Sequence, residues 1–170
     1  MPIALYLIRH GIATERDSGI DDRDRPLTPK GRQKAQAIAQ QLKALGLDFD
    51  EILTSPLLRA TQTAEILLGA GLSAQMSITH SLAPLGSFSD WLAWLRGYDA
   101  ERQNQKTTIA LVGHEPDLSQ WAELLLWGES RGVLQLKKGG ILGLNIADPA
   151  DPLGNSILFW LTPPRFLVSS

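Results

Sequence analysis

The sequence predicts a single α/β domain, residues 1–170, with a mostly parallel central sheet. Three short runs rich in apolar residues, at 3–8, 51–53 and 107–112, are typical of strands buried on both faces. Each run is followed by a stretch whose apolar residues recur at helical spacing. Because this alternation favours parallel strands with helices packed on both faces, the expected class is a three-layer α/β sandwich.

Capping signals indicate where the helices begin and end. Thr28 followed by Pro29 is typical of an N-cap and a first helical residue, and Gly46 is a natural stop. Ser55 followed by Pro56 repeats the start signal. The remaining predicted helices run from Ser55 to about residue 68, over residues 89–96 and from Pro116 onwards.

Four shorter segments complete the expected sheet. Residues 73–78 predict an edge strand, and residues 157–161 predict the last strand. Residues 133–136 and 141–146 flank a glycine-containing turn, which is typical of a hairpin. The segments near the C-terminus therefore predict antiparallel additions to the parallel sheet.

The composition excludes several kinds of chemistry. The chain has no cysteine, which rules out thiol catalysis, disulfides and thiolate metal sites. Its net charge of −2 provides no broad basic surface for nucleic acid. No apolar stretch is long enough to span a membrane, and the apolar start is too short for a signal peptide, so we expect a cytoplasmic protein. Asp21 and Asp22 have no second carboxylate cluster to join them, so no metal or other cofactor is expected.

Charged and titratable residues follow three of the predicted strands at the same end. Arg9 and His10 follow the first strand, Arg59 lies in the first turn after the second, and His114 follows the strand at 107–112. In an open α/β sheet these positions meet in one crevice, where helix N-termini also point unpaired N–H groups. Two guanidinium groups and two imidazoles in that crevice are suited to binding a phosphate.

Four motifs around these residues resemble those of the histidine phosphatase superfamily, which is also called the phosphoglycerate mutase-like superfamily. The motifs are residues 7–11 (LIRHG), 27–35 (LTPKGRQKA), 55–64 (SPLLRATQTA) and 112–115 (VGHE). Their order and spacing hold across residues 3–127, which makes the match specific.

Within that superfamily the chain is most similar to the short SixA-type phosphohistidine phosphatases. The shared features are an Arg-Pro-Leu-Thr segment at residues 25–28, a Leu-x-Pro-x-Gly stretch at residues 82–86, and the tail at residues 159–163. This resemblance implies a substrate that is a protein phosphorylated on histidine.

The resemblance also implies a two-step mechanism with four catalytic residues. His10 would attack phosphorus and form a covalent phosphohistidine intermediate that water then hydrolyses. Arg9, Arg59 and His114 would bind the phosphoryl oxygens. The two arginines would also disfavour an imidazolium at His10 and so help to keep the nucleophile neutral. Thr14 is a further candidate for phosphate binding, with capping of the loop as the alternative.

The expected proton donor of larger family members has no counterpart here. Those members carry a carboxylic acid after the third strand, whereas residues 81–86 (SLAPLG) contain none. Protonated phosphohistidine leaves as a neutral imidazole and needs a donor less than an ester does. The missing acid therefore favours a phosphohistidine substrate, and Asp90 and Glu115 are the other candidates for a donor.

The expected site is open to solvent. The segment between His80 and Ile109 is too short for the helical cap of larger relatives, which favours access by a protein. The polar loop at residues 13–25 is the expected rim. Its arginines, which are Arg16, Arg23 and Arg25, either contact substrate or form a solvated surface.

The sequence leaves two alternative functions open. A small-molecule phosphomonoesterase of the same superfamily would use the same residues. A catalytically weak phosphate-binding regulatory module would bind without turnover. A mutase is disfavoured because it needs a closed cap to retain its intermediate. The sequence does not indicate the oligomeric state, although it is consistent with a monomer.

Overall fold

The computed structural model describes residues 2–102 and 105–168, which contain six strands and four α-helices. The strands are β1 (Ile3–Arg9), β2 (Glu51–Thr54), β3 (Met76–Ile78), β4 (Thr107–Gly113), β5 (Ile141–Ile146) and β6 (Ser156–Thr162). The helices are α1 (Pro29–Ala44), α2 (Leu58–Gly69), α3 (Phe88–Arg102) and α4 (Asp117–Trp127). Within these ranges, no helix has the length and apolar character needed to cross a membrane.

All six strands form one sheet with the order β3-β2-β4-β1-β5-β6. The first four in this order are parallel, β5 pairs antiparallel with β1, and β6 pairs antiparallel with β5. β1 and β4 pair in register from Ile3 with Thr107 to Arg9 with Gly113. The carboxyl ends of β1, β2 and β4 therefore share one edge, and the predicted mostly parallel α/β sheet with antiparallel C-terminal strands is confirmed.

Helices cover both faces of this sheet. On one face, Trp91 of α3 and Trp121 of α4 belong to one buried apolar cluster. On the other face, Leu42 of α1 and Leu67 of α2 belong to a second cluster. Successive strand residues point to opposite faces, so an apolar strand supplies both clusters at once. The predicted three layers are confirmed, and the continuous apolar runs of β1 and β4 follow from burial on both sides.

The first helix begins and ends as its capping signals predict. The hydroxyl of Thr28 accepts a hydrogen bond of 2.9 Å from the backbone N–H of Gly31, and Pro29 is the first helical residue. Beyond the C-terminus of α1, Gly46 adopts φ +81°, a left-handed conformation that glycine tolerates without strain.

The second helix begins later than predicted. α2 begins at Leu58, with Leu57 at its N-cap and no side chain bonded to the cap. The hydroxyl of Ser55 accepts a hydrogen bond from the backbone N–H of Leu57 and also lies 2.7 Å from Nε2 of His114. The prediction of an N-cap at Ser55 is wrong because this hydroxyl forms hydrogen bonds with the backbone of a turn and with a buried histidine, and not with the first turn of α2.

The predicted hairpin between residues 133–136 and 141–146 is also wrong. Residues 133–136 form no strand, and β5 pairs with β1 on one side and with β6 on the other. The antiparallel hairpin therefore joins β5 to β6. The backbone N–H groups of Val133 and Leu134 donate to the carboxylate of Glu123, which removes them from strand pairing.

Glu123 organises the irregular segment between α4 and β5. Its side chain is buried, and it accepts hydrogen bonds of 2.7, 2.7 and 2.8 Å from the backbone N–H groups of Gly132, Val133 and Leu134. Burial raises the pKa of this carboxyl, but the backbone donors outweigh burial and lower the pKa to about 2. The carboxylate is thus ionised, and it provides the hydrogen-bond acceptors that a neighbouring strand would otherwise provide for the backbone N–H groups of this segment.

Replacing Glu123 with glutamine should destabilise the fold, because several buried N–H groups lose an ionised acceptor. We expect urea denaturation at neutral pH to show a loss of about 2–3 kcal/mol in the free energy of unfolding. The folded pKa lies below the ordinary value of 4.5, so wild type should lose this contribution as pH falls from about 4.5 towards about 2. Glu129→Gln, at an exposed carboxylate, is the control. Unchanged stability and acid dependence in Glu123→Gln would contradict this account.

Candidate active site

The carboxyl ends of β1 and β4 and the start of α2 surround a cavity of about 720 Å³. Arg9 ends β1 and His10 follows it, Arg59 lies in the first turn of α2, and His114 comes directly after β4. All four side chains line this cavity. The structure therefore brings together the four residues that the sequence singles out.

His10 lies on the cavity floor and is 6% exposed. Its Nδ1 lies 2.7 Å from the backbone oxygen of Gly11, which can only accept, so we assign the ring proton to Nδ1. Nε2 then carries the lone pair, and Nε of Arg59 donates a hydrogen bond of 3.3 Å to it. The free nitrogen of His10 is thus held against a guanidinium inside the cavity.

The surroundings of His10 oppose its protonation. Burial is the largest cause and lowers the pKa of His10 to about 3. The carbonyl of Gly11 acts in the opposite direction, while electrostatic repulsion by His114, when it is protonated, and by Arg59 and Arg9 lowers the pKa further. The arginines thus act in the direction that the sequence predicts, but burial contributes more than they do. His10 is therefore neutral at physiological pH.

His114 faces His10, with the two ring centroids 5.1 Å apart. Its Nε2 lies 2.7 Å from the hydroxyl oxygen of Ser55, which already accepts a hydrogen bond from Leu57 N–H. The Ser55 hydroxyl can then donate a hydrogen bond to Nε2, which acts as the acceptor. We therefore assign the ring proton of His114 to Nδ1. That Nδ1 is buried and has no hydrogen-bond partner among the described residues. Burial, followed by the charge of Arg59, lowers the pKa of His114 to about 4.

Arg9 presents a second buried donor of this kind. Its Nη1 donates a hydrogen bond of 2.9 Å to the backbone oxygen of Leu136, which fixes the guanidinium. Its Nε is buried, and no acceptor for it lies within the described part of the chain. Buried donors are normally paired, so Arg9 Nε and His114 Nδ1 are two donors that could pair with the oxygens of an oxyanion.

Arg59 is held by the loop that the sequence predicts as the rim. Its Nη1 donates a hydrogen bond of 2.7 Å to the backbone oxygen of Asp22, and its Nη2 lies 3.4 Å from Oδ2 of the same residue. Oδ1 of Asp22 in turn pairs with Arg25, whose Nη2 lies 2.8 Å away. Sequence reasoning considered Asp22 only for a metal and did not place it in the site. The spacing of three residues between Asp22 and Arg25 on a short turn is the feature of the sequence that could have predicted this ion pair.

The backbone that carries His10 is fixed by two helices. The N–H of Gly11 donates to the hydroxyl of Thr63 in α2, and that hydroxyl donates to the backbone oxygen of Arg59. In the first turn of α1, a Cβ on Gly31 would lie 2.0 Å from the backbone oxygen of Ile12. Only glycine permits this approach, so α1 packs directly on the segment after β1.

Neither candidate for a proton donor is placed to act as one. Asp90 lies in the first turn of α3, is exposed and does not line the cavity. Glu115 does line the cavity, but its carboxylate accepts hydrogen bonds from the backbone and hydroxyl of Ser119 and from the backbone N–H of Leu136. Glu115 therefore acts as a structural acceptor in this conformation.

The predicted rim residues are divided between two places. Arg16 and Arg25 line the cavity, whereas Arg23 lines a neighbouring groove together with His80. Thr14 is not among the residues that line the cavity, although its backbone oxygen accepts a hydrogen bond from Arg25. Among residues 2–102 and 105–168, no three His, Asp or Glu side chains cluster in a way that could hold a metal ion.

Ring NMR spectra should find both cavity histidines neutral across the physiological range. We expect no titration midpoint of His10 or His114 between about pH 5 and about pH 8, since their pKa values lie near 3 and 4. Long-range ¹H–¹⁵N spectra measure this directly, and His10→Ala assigns the His10 signals. A His10 midpoint near 6.5, the ordinary value, would contradict the account of burial.

Comparisons with known proteins bear on the family of the chain. The family model for the histidine phosphatase superfamily (branch 1) matches residues 5–84. An uncharacterized protein from Picosynechococcus sp. is 46% identical over 165 residues, which cover 96% of this chain and 98% of the relative.

Solved structures share the whole fold. The protein histidine phosphatase SixA complexed with tungstate matches with a TM-score of 0.82 and 25% identity, over 97% of this chain and 99% of its own. A phosphoserine phosphatase mutant from Entamoeba histolytica, in complex with phosphoserine, matches in fold with a TM-score of 0.69 and 21% identity, over 98% of this chain and 100% of its own. The family match and these neighbours indicate a phosphatase, and the chain belongs to the histidine phosphatase superfamily.

Proposed function

We propose that this protein is a metal-independent phosphatase that removes the phosphoryl group from phosphohistidine in a protein. The observation that carries the proposal is the contact of His10 Nε2 with Arg59 Nε in a cavity with two further buried donors, which assigns the lone pair of His10 to Nε2. A neutral imidazole nitrogen is a competent nucleophile toward phosphorus, and the donors match the oxygens of a transferring phosphoryl group.

The first step transfers the phosphoryl group to the enzyme. Nε2 of His10 attacks phosphorus, and the bond from phosphorus to the leaving nitrogen breaks. Arg9 Nε, the Arg59 guanidinium and His114 Nδ1 donate to the phosphoryl oxygens and stabilise charge in the transition state. The ring proton of His10 stays on Nδ1, which donates a hydrogen bond to the carbonyl of Gly11. This hydrogen bond stabilises the positive charge that the ring gains.

The second step returns the enzyme to its starting state. Water attacks the phosphorus of the phosphorylated ring, and the bond to Nε2 breaks. The electron pair returns to Nε2, which leaves His10 neutral with its proton on Nδ1. The protons of the water remain with the phosphate product, so no protein acid or base has to change its charge permanently.

The carboxylates near the cavity favour an N-linked substrate over an ester. An ester leaves as an alkoxide and needs a proton donor. Asp22 is paired with arginines, and Glu115 is occupied by Ser119 and Leu136. Among the described residues between β3 and β4, a short turn (His80–Leu82) and α3 are the only helical elements, which favours access of a folded partner to the cavity mouth.

The comparisons support this reading at two levels of detail. The neighbour with a TM-score of 0.82 is a protein histidine phosphatase, which supports a phosphohistidine-bearing protein as the substrate. The phosphoserine phosphatase with the same fold favours the alternative, a phosphomonoesterase that acts on small molecules. A catalytically weak phosphate-binding module is the alternative from another class. The cytoplasm remains the predicted location.

Trapping of the intermediate should separate these functions. A peptide N-phosphorylated on histidine with ³²P should label wild type with phosphate that is stable in alkali and labile in acid, and His10→Ala should take up none. Arg59→Ala should lower kcat by about 10²–10³-fold. His80→Ala, at an exposed histidine outside the cavity, is the matched control. Turnover of sugar phosphates alone would favour the phosphomonoesterase, and the absence of label and turnover would favour the binding module.

Ser55→Ala should impair catalysis without unfolding the protein. The variant removes the hydroxyl that directs the proton of His114 to Nδ1, so the donor facing the phosphoryl group is no longer fixed. We expect kcat on p-nitrophenyl phosphate to fall about tenfold, with a smaller change in KM, and the His114 ring signals to shift. Ser89→Ala, at an exposed hydroxyl on α3, is the control. Unchanged kcat and His114 signals would remove Ser55 from this role.

A further inference from the structure

The cavity contains a carboxylate to which the proposed chemistry assigns no role. Asp22 begins a short 3-10 turn, Asp22–Asp24, and lines the cavity. Its Oδ1 accepts a hydrogen bond of 2.9 Å from Nε of Arg25, whose Nη2 also lies 2.8 Å away. Its Oδ2 has a longer contact, 3.4 Å to Nη2 of Arg59. Oδ2 is therefore the oxygen that can accept a hydrogen bond from another molecule.

Asp22 lies on the side of the cavity from which a leaving group departs. His10 is buried on the floor, whereas the side chain of Asp22 is 52% exposed at the mouth. Arg59 spans the space between them, with Nε 3.3 Å from His10 Nε2 and Nη2 3.4 Å from Asp22 Oδ2. In-line displacement puts the leaving group opposite the attacking nitrogen, so it departs from the floor toward the mouth.

We propose that Asp22 is a specificity-determining residue that accepts a hydrogen bond from the protonated imidazole of an N-phosphorylated histidine substrate. The inference rests on the proposed function and adds the group that recognises the leaving ring. The phosphoryl group is held by the residues on the floor, and the ring that carries it is held by this carboxylate at the mouth.

The charge balance of the transfer explains why an anion is useful there. The bound substrate ring carries the phosphoryl group on one nitrogen and a proton on the other, so it is cationic. As His10 Nε2 forms its bond to phosphorus, the old P–N bond breaks and its electron pair returns to the substrate nitrogen. The ring leaves as neutral imidazole with its proton, and the positive charge moves to the His10 ring. Asp22 transfers no proton; it orients the ring and favours its protonated, reactive form.

The same carboxylate disfavours esters. Burial raises the pKa of Asp22, but the hydrogen bond from Arg25 and the charges of Arg59 and Arg25 outweigh burial and hold the pKa below its ordinary value. An ionised carboxylate has no proton to give to an alkoxide, and it repels a leaving group that becomes negative. Asp22 thus discriminates between the two substrate classes by charge.

A rival explanation is that Asp22 only competes with phosphate. Its carbonyl and carboxylate oxygens contact two nitrogens of Arg59, which a phosphoryl group would also contact. The two explanations predict opposite results. Removal of a competitor speeds the hydrolysis of every phosphorylated substrate by a similar factor, whereas removal of an imidazole acceptor slows only the N-linked one.

The experiment compares kcat/KM on a peptide N-phosphorylated on histidine and on p-nitrophenyl phosphate. Full-length wild type, Asp22→Asn and Asp24→Asn are assayed, since Asp24 lies in the same turn but does not line the cavity. We expect Asp22→Asn to lower the ratio of peptide to ester kcat/KM about tenfold, and Asp24→Asn to keep the wild-type ratio. Asp22→Glu, which retains the carboxylate, should recover part of the ratio.

The possible failures are distinguishable. Equal changes on both substrates in Asp22→Asn would overturn the role of Asp22 and leave a phosphohistidine phosphatase intact. A wild type that hydrolyses the ester but not the peptide would overturn the proposed function and, with it, this inference. If Asp22→Glu restores the ratio of peptide to ester kcat/KM, the carboxylate acts through its charge and not through the stability of the turn.

Discussion

The parallel pairing of β1 with β4 in a single register is the constraint on which the site depends. Arg9 lies opposite Gly113, and the backbone N–H of His10 donates a hydrogen bond of 3.1 Å to the oxygen of Gly113. This pairing places His10 and His114 at the same height, with ring centroids 5.1 Å apart. A slip of one residue would turn the core residues of β1 to the wrong face, so the packing that fixes the sheet also fixes the distance between the histidines.

The electrostatics of the cavity follow from burial on this scaffold. The histidines remain neutral because their burial penalises the charged form, and the nearby arginines act in the same direction. The buried guanidinium groups would be costly without anions close by, and two carboxylates meet this need. Asp22 contacts Arg59, and the charge of Glu115 acts on Arg9. The cavity is thus a balanced arrangement of fixed charges around two uncharged rings.

The sequence predicts most of the fold, because the strands and helices that form the layers carry strong and local signals. Thr28 and Gly46 bound a helix through contacts within a few residues. Two of the errors involve side chains whose partners are distant in sequence. Ser55 bonds to a histidine 59 residues away, and Asp22 contacts an arginine 37 residues away. Apolar spacing predicts a strand at residues 133–136, but a single carboxylate, that of Glu123, takes up the backbone donors.

The irregular segment that replaces the predicted strand has a consequence for how such a site can diversify. The backbone oxygen of Leu136 accepts a hydrogen bond from Arg9, and the segment that leads to Leu136 is held by Glu123. The orientation of the Arg9 guanidinium thus depends on a main-chain oxygen, which any residue type supplies. An exposed side chain on this segment, such as that of Val133, has no part in this anchor, whereas the side chain of Leu136 is buried in the core. Changes in its length or path would move the Arg9 guanidinium without altering a residue that lines the cavity.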